Sequence, residues 1–253
     1  MSTAGHPTPD PADRPADRRA DRPADQDAAG LVIALDGTSG SGKSSTSRGV
    51  AARLGLAYLD TGAQFRAVTW WLLQQGVDVH DTTRVAALAD TPRLVSGTDP
   101  GAPTITVDGE DVSGPIRSEA VNAAVSPVSA VPEVRARLLA LQRAAISEAL
   151  ATGRGIVVEG RDIGSVVWPA APVKVYLHAD ASARAARRAT EEGGSDPSAT
   201  EQSLLARDAI DSTRATAPLV RADGAVEIDT TPFTLDEVVG QVVGLAEAVE
   251  ART

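Results

Sequence analysis

The stretch "LVIALDGTSGSGKSS", Leu31 to Ser45, limits what this chain can fold into more than any other part of it. Leu31 to Asp36 is an apolar run closed by an acid, which fits a buried parallel strand. A glycine-rich loop follows at once, and a helix is expected from Lys43 to about Leu54. Gly37, Gly42, Lys43 and Ser44 stand at the spacing G-x-x-x-x-G-K-[ST], in the strand, loop and helix context that this phosphate-binding motif requires. Backbone N–H groups of Thr38, Ser39, Gly40, Ser41 and the residues through Ser45 can wrap around phosphate oxygens, Lys43 can reach the β- and γ-phosphates, and Ser44 can ligate magnesium. The implied ligand is a nucleoside triphosphate; a chance glycine-rich turn is the alternative.

The later chain repeats this alternation. Strand patterns at "LAYLD" (56–60), "GIVVEG" (155–160), "VKVYL" (173–177) and "AVEID" (225–229) are separated by helical patterns, one of them from about Ala63 to Gln75. The reading is α/β: a three-layer P-loop fold with a parallel sheet and helices on both faces. From about residue 92 to 152 the rhythm breaks. "PTITVDGEDV" places Asp108-Gly109 between strand-like flanks, a strong hairpin cue, and Val134, Leu138, Leu141 and Ala145 then keep helical spacing. This stretch reads as a small α+β insertion. "TEEGGSDPSAT" (190–200), with paired glycines and a proline, suits a mobile surface loop, and a short lid is placed at about 189–206. Residues 1–30 repeat Pro, Asp and Arg without large apolar residues after Met1 and read as a disordered tail, with a partner-binding segment as the lesser alternative.

Composition narrows the function classes. The 253 residues carry a formal charge of −10, which opposes charge-driven nucleic-acid binding. No apolar run approaches the ~20 residues of a membrane span. There is no cysteine, and His6, His80 and His178 are too scattered for a zinc site. A cytoplasmic location is expected. The only lysines are Lys43 and Lys174.

Other residues gather at the expected carboxyl edge of the sheet, where open α/β folds bind ligands. Glu159 ends an apolar strand and could orient magnesium-bound water; a structural salt bridge is equally open. "GRDIG" brings Arg161 and Asp162 to the same edge unless it is a plain surface turn. Thr61 and Arg66, in "LDTGAQFR", could meet an anion near a helix N-terminus, though Arg66 alone would read as a surface residue. Arg207, Asp211 and Arg214 share one face if their helix persists; an exposed ion-pair ladder is the alternative.

Taken in order, "DGTSGSGKSS", "LDTGAQFR", "GEDVSGPIRSEAVNAAVSPVSAVPEVR", "VVEGRDIGSVVWPAAPVKVYL" and "RDAIDSTRATAPL" resemble the motifs of bacterial cytidylate kinases over roughly Leu31 to Thr253. The resemblance implies transfer of the γ-phosphoryl group of ATP to CMP or dCMP, with magnesium as cofactor. It implies that Arg66, Arg161 and Arg214 hold the acceptor phosphate, with Arg188, and Arg187 beside it, near the transferred group. Ser126, Arg135 and Asp162 match positions that hold the base, although Ser126 could be purely structural. Thr61, Arg207 and Asp211 match positions that hold the rest of the nucleotide. A monomer is expected by family analogy. Two departures stand out: Phe65 occupies a position where the family leads one to expect tyrosine, and the lid is short and acidic. A kinase for another small acceptor, a GTPase switch without an N-K-x-D sequence, and a non-enzymatic nucleotide-binding module are the competing readings.

Overall fold

In a computed structural model, the described residues are 30–191, 196–213 and 217–252. The elements are, in chain order, β1 (Val32–Gly37), α1 (Lys43–Leu54), β2 (Ala57–Asp60), α2 (Thr61–Gln74), α3 (Thr82–Leu88), β3 (Leu94–Ser96), β4 (Ile105–Val107) and β5 (Glu110–Asp111). They continue with α4 (Glu119–Ala130), α5 (Pro132–Ala151), β6 (Ile156–Gly160), β7 (Val173–His178), α6 (Ala181–Glu191), α7 (Pro197–Thr213), β8 (Val226–Asp229) and α8 (Leu235–Glu250).

The main sheet has the order β2-β6-β1-β7-β8, and every neighbouring pair is parallel. β1 lies at its centre with all six residues buried, which is why its sequence is apolar on both faces. Period-two alternation divides the core. Ile33 and Leu35 pack with Tyr58, Val157 and Val175 against Val50 of α1 and Val239 and Val242 of α8. Val32, Ala34, Leu59 and Val158 face Ile146 and Leu150 of α5 and Trp168 on the other side. At the end of β1 the chain passes so close to β7 that a Cβ on Gly37 would lie 2.0 Å from the Leu177 carbonyl oxygen. The strand can enter the loop only with glycine there.

Between α2 and β6 lies a second, antiparallel sheet of order β3-β4-β5. Asp108 and Gly109 take φ values of 52° and 89° and turn β4 into β5, as the hairpin cue requires. The expected apolar helix is α5, which buries Val134, Leu138, Gln142 and Ile146; Leu141 and Ala145 are only partly covered, because the buried stripe advances by four residues instead of three after Leu138.

The loop expected at 190–200 is narrower than its composition implied. α6 extends to Glu191, and α7 begins at Pro197, whose fixed φ suits the first helical position. Asp196 caps that start, its Oδ1 accepting from Ser198 N at 3.0 Å. The rest of that loop (192–195), the tail before Gly30, and Arg214 lie outside the described residues. Among the described residues, no helix is long and apolar enough to cross a membrane.

Candidate active site

The carboxyl ends of β1, β2, β6 and β7 reach the same edge of the sheet, so the stretches that follow them meet there although they are far apart in sequence. One cleft at this edge is lined by Lys43, Ser44, Thr61, Arg66, Ser126, Arg135, Glu159, Arg161, Asp162, Arg188 and Asp211. A second runs along the other side of the glycine loop, bounded by Gly40 through Thr46, Arg187, Arg188, Thr230 and the exposed apolar side chains of Phe233 and Leu235. Gly40, Lys43, Ser44 and Arg188 border both.

Inside the loop, Lys43 Nζ donates to the Thr38 carbonyl at 2.5 Å, and Ser41 Oγ donates to the same oxygen at 2.9 Å. Ser44 Oγ and Tyr58 OH both donate to Glu159 Oε1, at 2.8 and 2.9 Å. The other oxygen, Oε2, is buried and has no partner among the described residues. The bonded partners of this carboxylate there are two hydroxyls, so the salt-bridge alternative is not what the side chain does. Burial pushes the Glu159 carboxyl above its ordinary range, and the Asp60 charge adds to this against Lys43 and the two hydroxyl donors. Burial likewise pushes the Lys43 ammonium down, helped by Arg161 and opposed by Glu159 and Asp208.

The segment after β6 is fixed from below. Asp36, at the end of β1, accepts from Ile163 N through Oδ1 and from Gly164 N through Oδ2, both at 2.8 Å. Burial raises this carboxyl to about 6, against the pull of those two amides. "GRDIG" is therefore not a surface turn: Asp162 and Ile163 are buried, and Ile163–Val167 continues as a π-helical turn. Arg161 Nη1 donates to the Gly37 carbonyl at 2.5 Å, and its Nε lies 3.1 Å from Asp211 Oδ2 on α7. Asp211 is buried and paired across the fold, which replaces the exposed-ladder reading.

At the far wall Arg135 Nη2 meets Asp162 Oδ2 at 2.5 Å, its Nη1 donates to the Ser129 carbonyl at 3.1 Å, and its guanidinium lies 5.3 Å from the centroid of the Phe65 ring. Arg66 is half-buried and donates to Asn122 Oδ1 at 2.6 Å and the Ile116 carbonyl at 3.2 Å. Thr61 Oγ1 donates to the Glu159 carbonyl at 2.8 Å. Ser126 borders the cleft, and its carbonyl accepts from Ser129 Oγ at 2.9 Å. Arg187 donates twice to Thr230, through Nη1 to Oγ1 at 2.9 Å and through Nη2 to the carbonyl at 2.7 Å. Ser45 is exposed beside the second cleft. Arg207 is one turn before Asp211 on α7, but its side chain lies outside the described residues, as does all of Arg214.

Some side chains at this edge escaped sequence reasoning. Asp60 caps α2, its Oδ1 accepting from Ala63 N at 2.9 Å; an acid just before a helical pattern was a legible signal. Arg184 and Asp208 touch the loop from α6 and α7, and no local signal could have joined residues 24 positions apart to one another or 169 positions away to Ser39.

The family model for cytidylate kinase matches residues 33–248. The cytidylate kinase of Streptomyces griseus subsp. griseus is 60% identical over 217 residues, which cover 86% of this chain and 93% of that protein. Those of Streptomyces avermitilis and Streptomyces coelicolor are 56% and 57% identical, over 87% and 88% of this chain and 94% and 96% of theirs. With its glycine loop, paired clefts and arginine-rich edge all inside the matched span, the chain belongs to the cytidylate kinase family.

Proposed function

We propose that this protein transfers the γ-phosphoryl group of ATP to CMP or dCMP, with the second cleft holding the donor and the first the acceptor. The observation that carries this reading is that the two clefts meet at Lys43, Ser44 and Arg188, so a phosphoryl group could pass from one to the other without leaving the protein's cover. An acceptor phosphate oxygen is already anionic and needs no general base, so positioning and charge stabilisation supply the chemistry.

Each side chain then has a task. Lys43 exchanges the Thr38 carbonyl for a donor phosphate oxygen. The apolar faces of Phe233 and Leu235 offer cover for the donor base. Arg161 and Arg66, with Arg214, hold the acceptor phosphate, their planar forks matching its oxygens. Arg188 neutralises charge between the two nucleotides. Asp162 accepts from the cytosine amino group, where uracil presents an acceptor instead, and Arg135 donates to the ring acceptors. Thr61, Ser126, Asp211 and Arg207 complete the nucleotide's surroundings. The segment 189–206 serves as a lid that excludes water, the competing acceptor.

The residues present fit magnesium. Ser44 supplies a hydroxyl, and the bare Oε2 of Glu159 supplies an acceptor for a metal-bound water. Among the described residues no group of three or more His, Asp or Glu side chains gathers, so the ion would depend on phosphate and water for its other ligands, as is usual for magnesium. When bound, it supplies charge neutralisation at the donor phosphates.

The test is ADP release from Mg-ATP with CMP, dCMP, UMP, AMP or no acceptor. Turnover with CMP and dCMP far above the others supports the reading. ADP formation that is indifferent to the acceptor would overturn it.

A further inference from the structure

Ser39, the third residue of the glycine loop, has both ends of its backbone held by one ion pair. Its N–H donates to Asp208 Oδ1 at 2.9 Å, and its carbonyl accepts from Arg184 Nη1 at 2.9 Å. Arg184 and Asp208 are themselves bonded, through Nη1 and Oδ2. The pair bridges α6 and α7, with 6% of the Arg184 side chain and 14% of that of Asp208 exposed. The next loop residue fits as closely: on Gly40, at φ 75°, a Cβ would lie 3.2 Å from Arg184 Cβ and 3.4 Å from Leu204 Cδ1 of α7. Both helices are seated on the loop.

A carboxylate at this point is electrostatically unfavourable for a loop that receives a polyphosphate, because its charge opposes the ligand's. Arg184 offsets that charge, yet apolar side chains could cover a loop as well without either ion. What the ions add is direction. Asp208 fixes the Ser39 peptide, while Asp211, three residues on and on the same face of α7, holds Arg161. Arg161 in turn donates to the carbonyl of Gly37, where the loop begins, and its Nη1 lies 4.0 Å from Asp208 Oδ1. A closed ring of contacts thus runs from the donor loop through α7 to the acceptor-side arginine and back to the loop.

We propose that Arg184 and Asp208 are positioning residues that make occupancy of the donor and acceptor clefts energetically coupled. Neither side chain lines the donor or the acceptor cleft. They set the register between the loop and the helix that holds Arg161, so that ordering one cleft favours the ordered state of the other. This rests on the assignment of the two clefts made above. Coupling of this kind is reciprocal: the donor tightens the acceptor by the factor by which the acceptor tightens the donor.

The experiment is calorimetric titration of CMP into the full chain, with and without a Mg-bound β,γ-imido analogue of ATP. Wild type is compared with Asp208→Asn, which keeps an acceptor for Ser39 N–H and loses the charge. In wild type the analogue is expected to tighten CMP by about 5-fold or more, within the usual range of such couplings. In Asp208→Asn the factor falls toward one, while each nucleotide alone binds within about 3-fold of wild type, a change too small to count as loss of a direct contact. If that variant does not fold, the doubly neutral Arg184→Met/Asp208→Leu variant, which strands no charge, is titrated in its place. An unchanged factor in the variant, or no coupling in wild type, overturns the proposal. Equal weakening of both nucleotides with the factor intact marks a purely structural pair and also overturns it. Failure of CMP to bind wild type at all would instead bring down the cleft assignment.

Discussion

Arg135 and Asp162 close on each other across the acceptor cleft, Nη2 to Oδ2 at 2.5 Å, each with 9% of its side chain exposed. The carboxylate proposed to read the cytosine amino group is therefore already charge-compensated and oriented before any base arrives. Asp162→Ala would leave a buried, unpaired guanidinium, so loss of activity there would mix recognition with a stability cost of about 3–5 kcal/mol. Asp162→Asn keeps the shape and presents an amide that can turn its donor toward uracil. Its preference for CMP over UMP, measured as the ratio of kcat/KM values, is expected to fall on the order of 10- to 100-fold, as a discriminating pair of 1–3 kcal/mol implies. An unaltered preference would remove Asp162 from base reading.

Phe65 contributes a ring face to Arg135 and no hydroxyl. Phe65→Leu should lose a contact of roughly 0.5–1 kcal/mol. That corresponds to a KM for CMP raised about 2- to 5-fold with kcat little changed, which steady-state kinetics at saturating ATP would read. Phe65→Tyr, which retains the face, should stay near wild type.

Gly37→Ala should destabilise the fold, because the new methyl would meet the Leu177 carbonyl at 2.0 Å and either β1 or β7 must move. A loss of about 3 kcal/mol or more is expected from such a backbone collision. Urea unfolding followed by circular dichroism measures it, and a change below about 1 kcal/mol would show that the sheet yields there at little cost.

Asp36 ties stability to pH. Its folded carboxyl stands at about 6 against an ordinary 3.8, so between those values the folded state holds the extra proton and stability falls as pH rises. Below about 4 the contribution is fully present, and above about 6 the loss is complete, on the order of 3 kcal/mol. Urea unfolding of wild type and Asp36→Asn across pH 4 to 7 isolates it. The advantage of wild type over the variant should shrink as pH rises; a constant difference would assign the slope to other groups.

Ser44→Ala removes the hydroxyl that donates to Glu159 and is proposed to meet magnesium. The magnesium concentration for half-maximal ADP formation should rise several-fold, since one ligand of a weakly held ion is lost. Chelation with EDTA should stop turnover in both proteins. A magnesium titration curve unchanged by the substitution would place the ion elsewhere.

What could be read before folding was mostly local. β1, α1 and the Asp108-Gly109 turn follow from runs of neighbouring residues, and each forms where its pattern lies. "SDPSAT" misled because Asp and Pro mark loops and helix starts alike, and only the bonds of Asp196 to Ser198 and Thr200 decide between them. At the site, the glycine loop declared itself through spacing. The contacts of Glu159 with Tyr58 and of Arg161 with Gly37 did not, because they span 101 and 124 residues and depend on which strands lie side by side. β6 sits between β1 and β2, an order that single-strand patterns do not encode.

The near-exclusive use of arginine gives Lys43 one further property. The chain has two primary amine side chains, and Lys174 sits apart from the cleft, donating to the Asp223 carbonyl at 3.2 Å. Lys43 lies between both clefts with its ammonium pushed down by burial, so more of it is the free, nucleophilic amine near neutral pH. An amine-directed acylating or aldehyde reagent of modest reactivity thus has one activated side-chain target, at the point where the two nucleotides would meet, and each nucleotide that enters would shield it. Labelling of Lys43 that falls when either nucleotide is added, read by mass on the peptide that carries it, would report occupancy of the clefts it borders.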